Sequence, residues 1–411
     1  MVGLAPKWQV LGLLVSFSVA ISGAAADVQA KSKTKASQFS ATLSASDRAA
    51  FESWYIAQMS HDAALDGYWK TVRRQRGERR RKRRAGREVT HQDYVLLFPP
   101  KYTGPKLARS LQRRWRRFRA KGAAPKKPRK PLPGLGVYLT AAKRHYKFTP
   151  ERIPEREYKR RYAAEALNYG LRKDQVVRVF ALETGGNGTA DMQAGIHPIS
   201  KRGRPISSAL GYAQLLAANS VNVIAKHGPS FVARLERMIG RERVDHRRRQ
   251  LEAKLASLRS MVKTAQSIPF SWKRQRALAL TSRGRGLHPL NIDGDIGPWM
   301  QVIKLADIRR MAERRGYQNL SGAQLELMNL AGPGTGLEML TKVASDKPTT
   351  NFFSRSAYNT NSIVRGNTST ELVVALERRM QQNMKKKGSR EFMAIFDEIM
   401  SQRASVAATI R

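Results

Sequence analysis

Along most of this chain, apolar residues recur with the period of an α-helix, and the two-residue alternation of a half-buried strand is scarce. The tripeptide His227-Gly228-Pro229 is typical of a helix end and is expected to separate two helices. From residue 137 onward, the pattern predicts a packed, mainly α-helical body. The helices expected there are 156–166, 173–183, 213–226, 231–266, 299–315, 323–330, 336–344, 371–386 and 391–401.

A further helix is predicted near the N-terminus, where residues 44–47 fit a capping box and aromatic residues follow at helical spacing. It runs into 73–87, whose arginines leave no apolar face to bury. We interpret this stretch as a solvated helix extension or disorder, the alternative being a tether that binds polyanions. The apolar segment 94–100 is expected to dock on a globular body. In 101–130, Trp115 and Phe118 lie among arginines, which suits nucleic-acid stacking or a surface helix with a small anchor.

Charge and composition narrow the classes of function. The 411 residues include 76 Lys and Arg against 31 Asp and Glu, a net charge of +45, and no cysteine. Residues 70–130 alone hold 24 basic and three acidic residues, so nearly half of the excess lies in a short segment. Such a charge predicts an anionic partner: nucleic acid, an acidic membrane surface or an anionic polymer. The lack of cysteine excludes disulfides, a thiol nucleophile and cysteine-based metal sites.

Residues 1–26 are typical of a secretory signal peptide. Lys7 precedes an apolar run over 10–21, and the small residues 24–26 stand before Asp27. The run is about a dozen residues, short of the roughly 20 that span a bilayer, although an uncleaved membrane anchor is the alternative. We therefore predict a periplasmic or secreted protein. Export favours a cell-wall polymer over nucleic acid as the anionic partner.

The composition divides the chain into five segments, with a stiff proline-rich linker at 126–133. The predicted division is a signal peptide at 1–26, a linker and amphipathic helix at 27–69, a basic arm and linker at 70–136, a helical domain at 137–385 with an inserted charged helical region at about 231–290, and a C-terminal helix or tail at 386–411. In this division the basic arm lies outside the helical domain.

Glu183 is the candidate catalytic residue. It follows Phe180 by three positions and Val176 by seven, so it lies on the apolar face of its helix. Burial there would raise the pKa of its carboxyl and keep it protonated near neutral pH, as a general acid requires. Gly185, Gly186 and Gly188 then end the helix and leave room for a bulky substrate. The alternative is a last-turn glutamate that faces solvent.

Three motifs carry a resemblance to a known family. Residues 168–188 (NYGLRKDQVVRVFALETGGNG) resemble the segment of lytic transglycosylases that ends in their single catalytic glutamate. Residues 208–216 (SALGYAQLL) resemble the second motif, and 328–334 (MNLAGPG) are similar to the third in their last four residues. The three motifs stand in the family's order, and the chain resembles a divergent member of the soluble lytic transglycosylase and goose-type lysozyme-like family. The departures are Thr184 in place of serine, and Asn329 and Leu330 in place of tyrosine and asparagine.

The resemblance implies a lysozyme-like catalytic domain and a lyase reaction on peptidoglycan. Glu183 would protonate the oxygen between N-acetylmuramic acid and N-acetylglucosamine, and then take the proton of the muramic 6-hydroxyl, giving a 1,6-anhydro end. Gln214 would line the cleft and contact the sugar or orient the site, and Thr184 and Gly211 are further candidate substrate-binding residues. Tyr212 would stack on a sugar, or is a core aromatic.

Two of the implied contacts rest on less direct matches. Asn329 takes a third-motif position, and Tyr358 is a candidate for the missing aromatic contact, the alternative being an unrelated loop. Asp191 could position water, in which case the enzyme would be a hydrolase, as lysozymes are.

Other sequence motifs give weaker evidence for a metal, cofactor or phosphate site. Residues 291–297 contain Asp-Gly-Asp, but the ligand periodicity of a calcium loop is absent, so a turn is expected. The histidines show no metal spacing, and 332–336 lacks the lysine of a phosphate loop. We predict no metal and no cofactor.

Three hypotheses follow from the sequence. The first is an exported, monomeric lytic transglycosylase that acts on peptidoglycan glycan strands and meets anionic envelope polymers through its basic arm. The second is a non-catalytic, cationic wall- or polyanion-binding protein on the same fold. The third is a nucleic-acid binder whose N-terminal apolar run is not a signal peptide.

Overall fold

The computed structural model describes residues 34–121 and 131–409. Within these ranges the regular structure is helical and no β-strand occurs, which confirms the prediction of a mainly α-helical chain. The predicted signal peptide, 1–26, and most of the predicted linker at 126–133 lie outside the described residues. Among the described helices, none combines the length and the apolar character needed to cross a membrane.

The chain divides into two compact units. The N-terminal unit comprises described residues 34–71 and 99–121. Its helices are 34–40 (α1), the first part of the long helix Ala45–Arg84 (α2), and Arg109–Ala120 (α3). Trp115 of α3 is buried, and its ring centroid lies 5.1 Å from those of Phe39 and Phe51. The basic stretch therefore forms a surface helix with an aromatic anchor.

The main unit comprises residues 72–98 and 131–409. Besides the end of α2, its α-helices are Leu135–Tyr146 (α4), Glu155–Asn168 (α5), Lys173–Thr184 (α6), Ala217–Arg241 (α7), Asp245–Gln266 (α8), Trp272–Leu280 (α9), Ser282–Arg285 (α10), Ile296–Glu313 (α11), Gly322–Ala331 (α12), Pro333–Met339 (α13), Arg355–Thr360 (α14), Ser369–Met384 (α15) and Lys387–Thr409 (α16). Short 3-10 turns occur at His91–Asp93, His288–Ile292, Lys342–Ala344 and Thr349–Asn351.

Two hydrophobic cores stabilise the main unit. One joins α4, α7, α8 and the start of α11, and the other surrounds α6 with α5, α11, α12 and α16. Phe180 of α6 lies at the centre of the second core. Its ring centroid is 4.8 Å from that of Tyr212 and 5.3 Å from that of Phe392.

Helix α16 belongs to the core, which changes the division predicted for the C-terminus. The segment 386–411 was expected to be a helix or tail outside the catalytic domain. Instead Phe392, Ile395 and Phe396 of α16 are fully buried against the apolar residues of α5 and α6. Burying a phenylalanine side chain contributes about 1.5–3 kcal/mol. The last helix is therefore needed to complete the fold.

Helix α7 continues through Gly228 and Pro229, although these residues were expected to end it. Pro229 has no N–H to donate to Ala225 O, and the amide of Gln266 donates to that carbonyl instead, at 3.1 Å. Gly228 allows α8 to pack closely, because a Cβ there would stand 2.4 Å from Cγ2 of Val262. The expected long helix over 231–266 is correspondingly interrupted at 242–244.

The arginine-rich end of α2 is docked and only partly solvated. Arg79 is fully buried, and the apolar segment that follows places Tyr94 in the interior while Leu97 stays exposed. The segment 72–98 consequently belongs to the main unit, whereas the sequence suggested a separable arm over 70–136. The buried guanidinium of Arg79 donates hydrogen bonds to the carboxylate of Glu338 and to the backbone carbonyl of Asn351, both distant in sequence.

Candidate active site

Glu183 lies in the last turn of α6. The helix starts where Arg172 N donates to Gln175 Oε1 at 3.0 Å, and it ends at Gly185, which has φ of +66°. Val176, Val177 and Phe180 are buried, as the apolar period predicts. The side chain of Glu183 is partly exposed at the end of this buried face. Glu183 therefore lies at the edge of the core, and burial is the main influence on its carboxyl.

A second carboxyl group meets Glu183. Glu326 of α12 is fully buried, and its carboxyl and that of Glu183 are hydrogen-bonded to each other. Asn329 Nδ2 donates to Glu183 Oε1 at 3.4 Å and to both carboxyl oxygens of Glu326 at 3.3 Å. Lys304 Nζ of α11 donates to Asn329 Oδ1 at 2.6 Å. Three helices thus bring four polar side chains together.

The burial and charges of the cluster favour one proton shared by the carboxyls of Glu183 and Glu326. Burial raises the pKa of Glu183, against the smaller opposing effects of the Glu326 hydrogen bond and the Lys304 charge. Burial, together with the neighbouring Glu183 charge, raises the pKa of Glu326 well above its usual value. Burial also lowers the pKa of Lys304. Two acids this close share a proton, and the Lys304 ammonium balances the remaining carboxylate.

Local sequence explains why α12 lies beside α6. Ser321 caps α12 by accepting from Gln324 N at 3.2 Å, and Ser321 N donates back to Gln324 Oε1 at 2.9 Å. Gln175 Nε2 of α6 donates to Leu320 O at 2.8 Å, which ties the starts of the two helices. A Cβ at Gly322 would stand 2.8 Å from Cβ of Arg178, so the backbones approach closely. The two helices run in the same direction and present Glu183 and Glu326 together.

Two of the glycines after Glu183, Gly186 and Gly188, lie in tight contact with other parts of the chain. A Cβ at Gly186 would stand 2.3 Å from Asn383 O, and one at Gly188 would stand 2.3 Å from Cβ of Thr184. We expected these positions to open space for a substrate. In the structure, the end of α15 and the start of α16 occupy the space beside Gly186.

Two of the predicted contact residues lie in the interior. Thr184 is buried, and its hydroxyl donates to Phe180 O at 2.7 Å within its own helix. Tyr212 is also buried, its hydroxyl donates to Glu155, and its ring packs against Tyr158 with centroids 5.2 Å apart. Tyr212 therefore occupies the core position that was the alternative to sugar stacking.

Gly211 and Gln214 form a tight turn. Both have positive φ, of +80° and +42° respectively, and Gln214 Nε2 donates to Gly211 O at 2.7 Å. A Cβ at Gly211 would stand 2.3 Å from Nε2 of Gln301, so only glycine fits there without displacement. Gln301 in turn accepts from Ala213 N at 2.9 Å. The second motif is thus a buried turn held by α11.

Of the predicted contact residues, Asn329 is the one whose hydrogen bonds reach Glu183. Tyr358 of α14 is buried, and its hydroxyl accepts from Gly366 N at 3.0 Å. Asp191 accepts from Thr189 at 2.6 Å and from Lys201 at 3.0 Å. Burial alone would raise the pKa of Asp191, but these donors and Arg152 hold it at about 2.

Glu326 and Lys304 were not among the residues predicted from sequence. Each is the one charged residue within a mostly apolar helical stretch, LELMNLA for Glu326 and WMQVIKLA for Lys304. A charge on an apolar face was the signal that identified Glu183, and the same criterion would have found both. Their proximity to Glu183 depends on tertiary packing.

The Asp-Gly-Asp sequence is a turn whose carboxylates bind cations of the chain itself. Lys254 Nζ lies 3.0 Å from Asp293 Oδ1 and 2.5 Å from Asp295 Oδ2, and Arg247 lies 2.8 Å from Asp295. Among the described residues, no group of three or more potential ligands is placed to hold a metal ion.

Comparison with known proteins adds no relative: no family model, no curated protein and no solved structure matches the chain.

Proposed function

We propose that this protein is an exported lytic transglycosylase that cleaves the bond between N-acetylmuramic acid and N-acetylglucosamine in peptidoglycan, on a lysozyme-like fold. The observation that carries the proposal is the position of Glu183, partly exposed at the end of a buried helix face and hydrogen-bonded to Glu326 and Asn329. A carboxyl with a raised pKa at such a boundary suits general acid catalysis. The three motif resemblances supply the substrate class.

The reaction needs one acid that changes roles. Protonated Glu183 gives its proton to the glycosidic oxygen as the bond from that oxygen to the muramic C1 breaks. The N-acetyl group of the same sugar meets the charge that develops at C1. The Glu183 carboxylate then takes the proton of the 6-hydroxyl while O6 bonds to C1. Glu183 is thereby protonated again, and no water is consumed.

The closeness of Glu326 supports a one-carboxylate scheme. A hydrogen bond between two carboxyl groups brings their oxygens to about 2.5–3.0 Å. Ordinary retaining and inverting glycosidases hold their two carboxyls about 5–5.5 Å and about 6.5–9.5 Å apart, to admit the anomeric carbon or a water between them. Because the carboxyl of Glu326 is hydrogen-bonded to that of Glu183, we assign Glu326 a role in proton retention and neither nucleophilic attack nor water activation.

The positive charge of the chain supports an anionic cell-envelope polymer as the partner and the cell envelope as the location. The net charge of +45 suits retention on an anionic cell envelope, outside the cytoplasm. Exposed arginines on α3, among them Arg113, Arg116 and Arg117, are the surface proposed to meet anionic polymers. The protein is proposed to act as a monomer.

A non-catalytic wall- or polyanion-binding protein on the same fold is the second candidate. One observation favours it: Tyr212, the aromatic residue offered for sugar stacking, lies in the core. On this hypothesis the cluster around Glu183 is a buried polar network that stabilises the packing of α6, α11 and α12.

Digestion of purified peptidoglycan with mass analysis separates the two candidates. Wild type is expected to release muropeptides about one water lighter than hydrolysed ones, and Glu183→Gln to release none while keeping its helical circular dichroism. Glu252→Gln, an equal charge change at an exposed position of α8, is the matched control and should behave as wild type. Pelleting of wild type with the wall but no release would support the second candidate. Full-mass products would indicate a hydrolase.

A further inference from the structure

Arg79 is fully buried although it belongs to the arginine run at the end of α2. All three of its nitrogens are used: Nε donates to Glu338 Oε1 at 2.7 Å, Nη1 to Asp93 O at 2.9 Å and Nη2 to Asn351 O at 2.7 Å. Its guanidinium lies 4.2 Å from the ring centroid of Tyr94. A buried charge is tolerated only when it is paired and hydrogen-bonded in this way.

Glu338 is the acceptor that links α2 to α13. Besides Arg79, it accepts from Tyr94 Oη at 3.2 Å and pairs with Arg83 at 2.5 Å. The carboxylate is buried, so these contacts are shielded from solvent. One acid on α13 therefore holds two arginines of α2.

Arg76 adds a second attachment one turn earlier along α2. Its guanidinium donates to Asn351 O at 2.9 Å, to Thr350 O at 2.7 Å and to Phe353 O at 2.6 Å. The amide of Asn351 also pairs with Val95, donating at 2.8 Å and accepting at 2.9 Å. The segment 72–98 is thus fixed to the main unit at two points.

Helix α13 lies directly beside the carboxylate cluster. It begins at Pro333, after the turn at Gly332 that ends α12, and Asn329 lies in the last turn of α12. A Cβ at Gly336 would stand 2.5 Å from Cα of Met328, the residue that precedes Asn329. The backbones of α12 and α13 therefore touch next to the residue that binds Glu183, and a shift of α13 would move Asn329.

We infer that Arg79 is a positioning residue for the carboxylate cluster. Through Glu338 it fixes α13, and through the contact of Gly336 with Met328, α13 fixes the part of α12 that carries Asn329 and Glu326. The basic segment thereby has a role in the geometry of the site in addition to its charge. The catalytic part of this inference rests on the proposed function, whereas the structural part does not.

The test compares Arg79→Met with Arg80→Met in the full chain. Arg80 is the next residue of the same helix and is exposed, so the control removes the same charge without touching Glu338. Arg79→Met is expected to speed amide hydrogen exchange in 326–340 by about tenfold or more. It should also lower kcat for muropeptide release by about 10- to 100-fold, with KM within about twofold. Arg80→Met should match wild type in both.

Circular dichroism and thermal melting establish whether Arg79→Met folds. If it does not, Arg79→Lys keeps the charge beside Glu338 but cannot reach both carbonyls, and smaller changes in the same direction are expected. A folded variant with wild-type exchange in 326–340 would overturn the inference. Faster exchange with unchanged kcat would refute the positioning role and leave the proposed function standing. A wild type that releases no muropeptides would refute the proposed function, and exchange would still decide whether Arg79 fixes α13.

Discussion

The buried carboxyl of Glu326 and the carboxyl of Glu183 are hydrogen-bonded to each other, so two acids on neighbouring helices hold one proton between them. Such a pair titrates as a unit. Asn329 donates to both members, and Lys304 fixes the orientation of Asn329. The chemistry proposed for Glu183 therefore depends on three other side chains.

Replacing Lys304 by methionine is expected to move the pH dependence of activity. The ammonium of Lys304 lowers the pKa of both glutamates, so its removal raises them. A general acid works only when protonated, and its rate falls as pH rises through its pKa. The alkaline limb of kcat/KM should therefore shift upward, by about one pH unit. The exposed Lys263→Met is the control, and a limb at or below the wild-type pH would contradict the assignment.

Asp191→Asn tests both stability and the hydrolase alternative. The folded pKa of Asp191, about 2, lies below its ordinary value of 3.8. Its contribution to stability is therefore present above about pH 4 and disappears as pH falls through 2. We expect the substitution to lower the free energy of unfolding at pH 7 by about 1–2 kcal/mol, with no difference from wild type below pH 2. Denaturant titration at several pH values measures this.

The same variant should retain the anhydro product. If Asp191 activated water instead, its replacement would abolish release, and wild type would give full-mass muropeptides.

Gly228→Ala should destabilise the packing of α7 on α8. The new Cβ would stand 2.4 Å from Cγ2 of Val262, so the valine must move. We expect a loss of about 1–3 kcal/mol in the free energy of unfolding. Gly240→Ala, on the same helix with nothing within 4 Å of its Cβ, should be neutral or stabilising by up to about 1 kcal/mol. Recovery of stability in Gly228→Ala/Val262→Ala would confirm the contact, and equal melting of both single variants would refute it.

The exposed arginines of α3 are predicted to retain the protein on an anionic wall. The triple change of Arg113, Arg116 and Arg117 to glutamine should weaken pelleting with peptidoglycan most clearly at low salt, where charges are least screened. These residues lie in the N-terminal unit and Glu183 lies in the main unit, so turnover on short soluble fragments should stay unchanged.

A matched control for this change uses three exposed cations of the main unit, Arg249, Lys263 and Arg276, also changed to glutamine. Equal loss of pelleting in both triple variants would show that net charge, and not the α3 surface, determines retention.

Local patterns were sufficient to predict α6 and the position of Glu183. The apolar face of α6 is buried as its period indicates, and Gly185 ends the helix with positive φ. Local patterns were not sufficient to predict the cluster around Glu183. Glu326 and Lys304 come from other helices, and the packing of these helices on α6 depends on contacts such as that of Gln175 with Leu320. Such contacts leave no regular spacing in the sequence.

The errors share a physical cause. Pro229 normally ends a helix, but Gln266 supplies the hydrogen bond that the proline cannot make. Arginine side chains normally face water, but carbonyl oxygens bind Arg76 and Glu338 binds Arg79. In each case a partner distant in sequence satisfies a group that local rules treat as unsatisfied, and tertiary structure overrides the local preference.

The burial of α16 also bears on when the protein can fold. Phe392 and Phe396 fill the space beside Phe180, so the helix that carries Glu183 lacks one wall until residues 387–409 have been synthesised. A nascent chain therefore cannot assemble the carboxylate cluster while it is still being made. For an enzyme proposed to cut the cell wall, this order delays the second core, and with it the proposed catalytic site, until the last helix has been made.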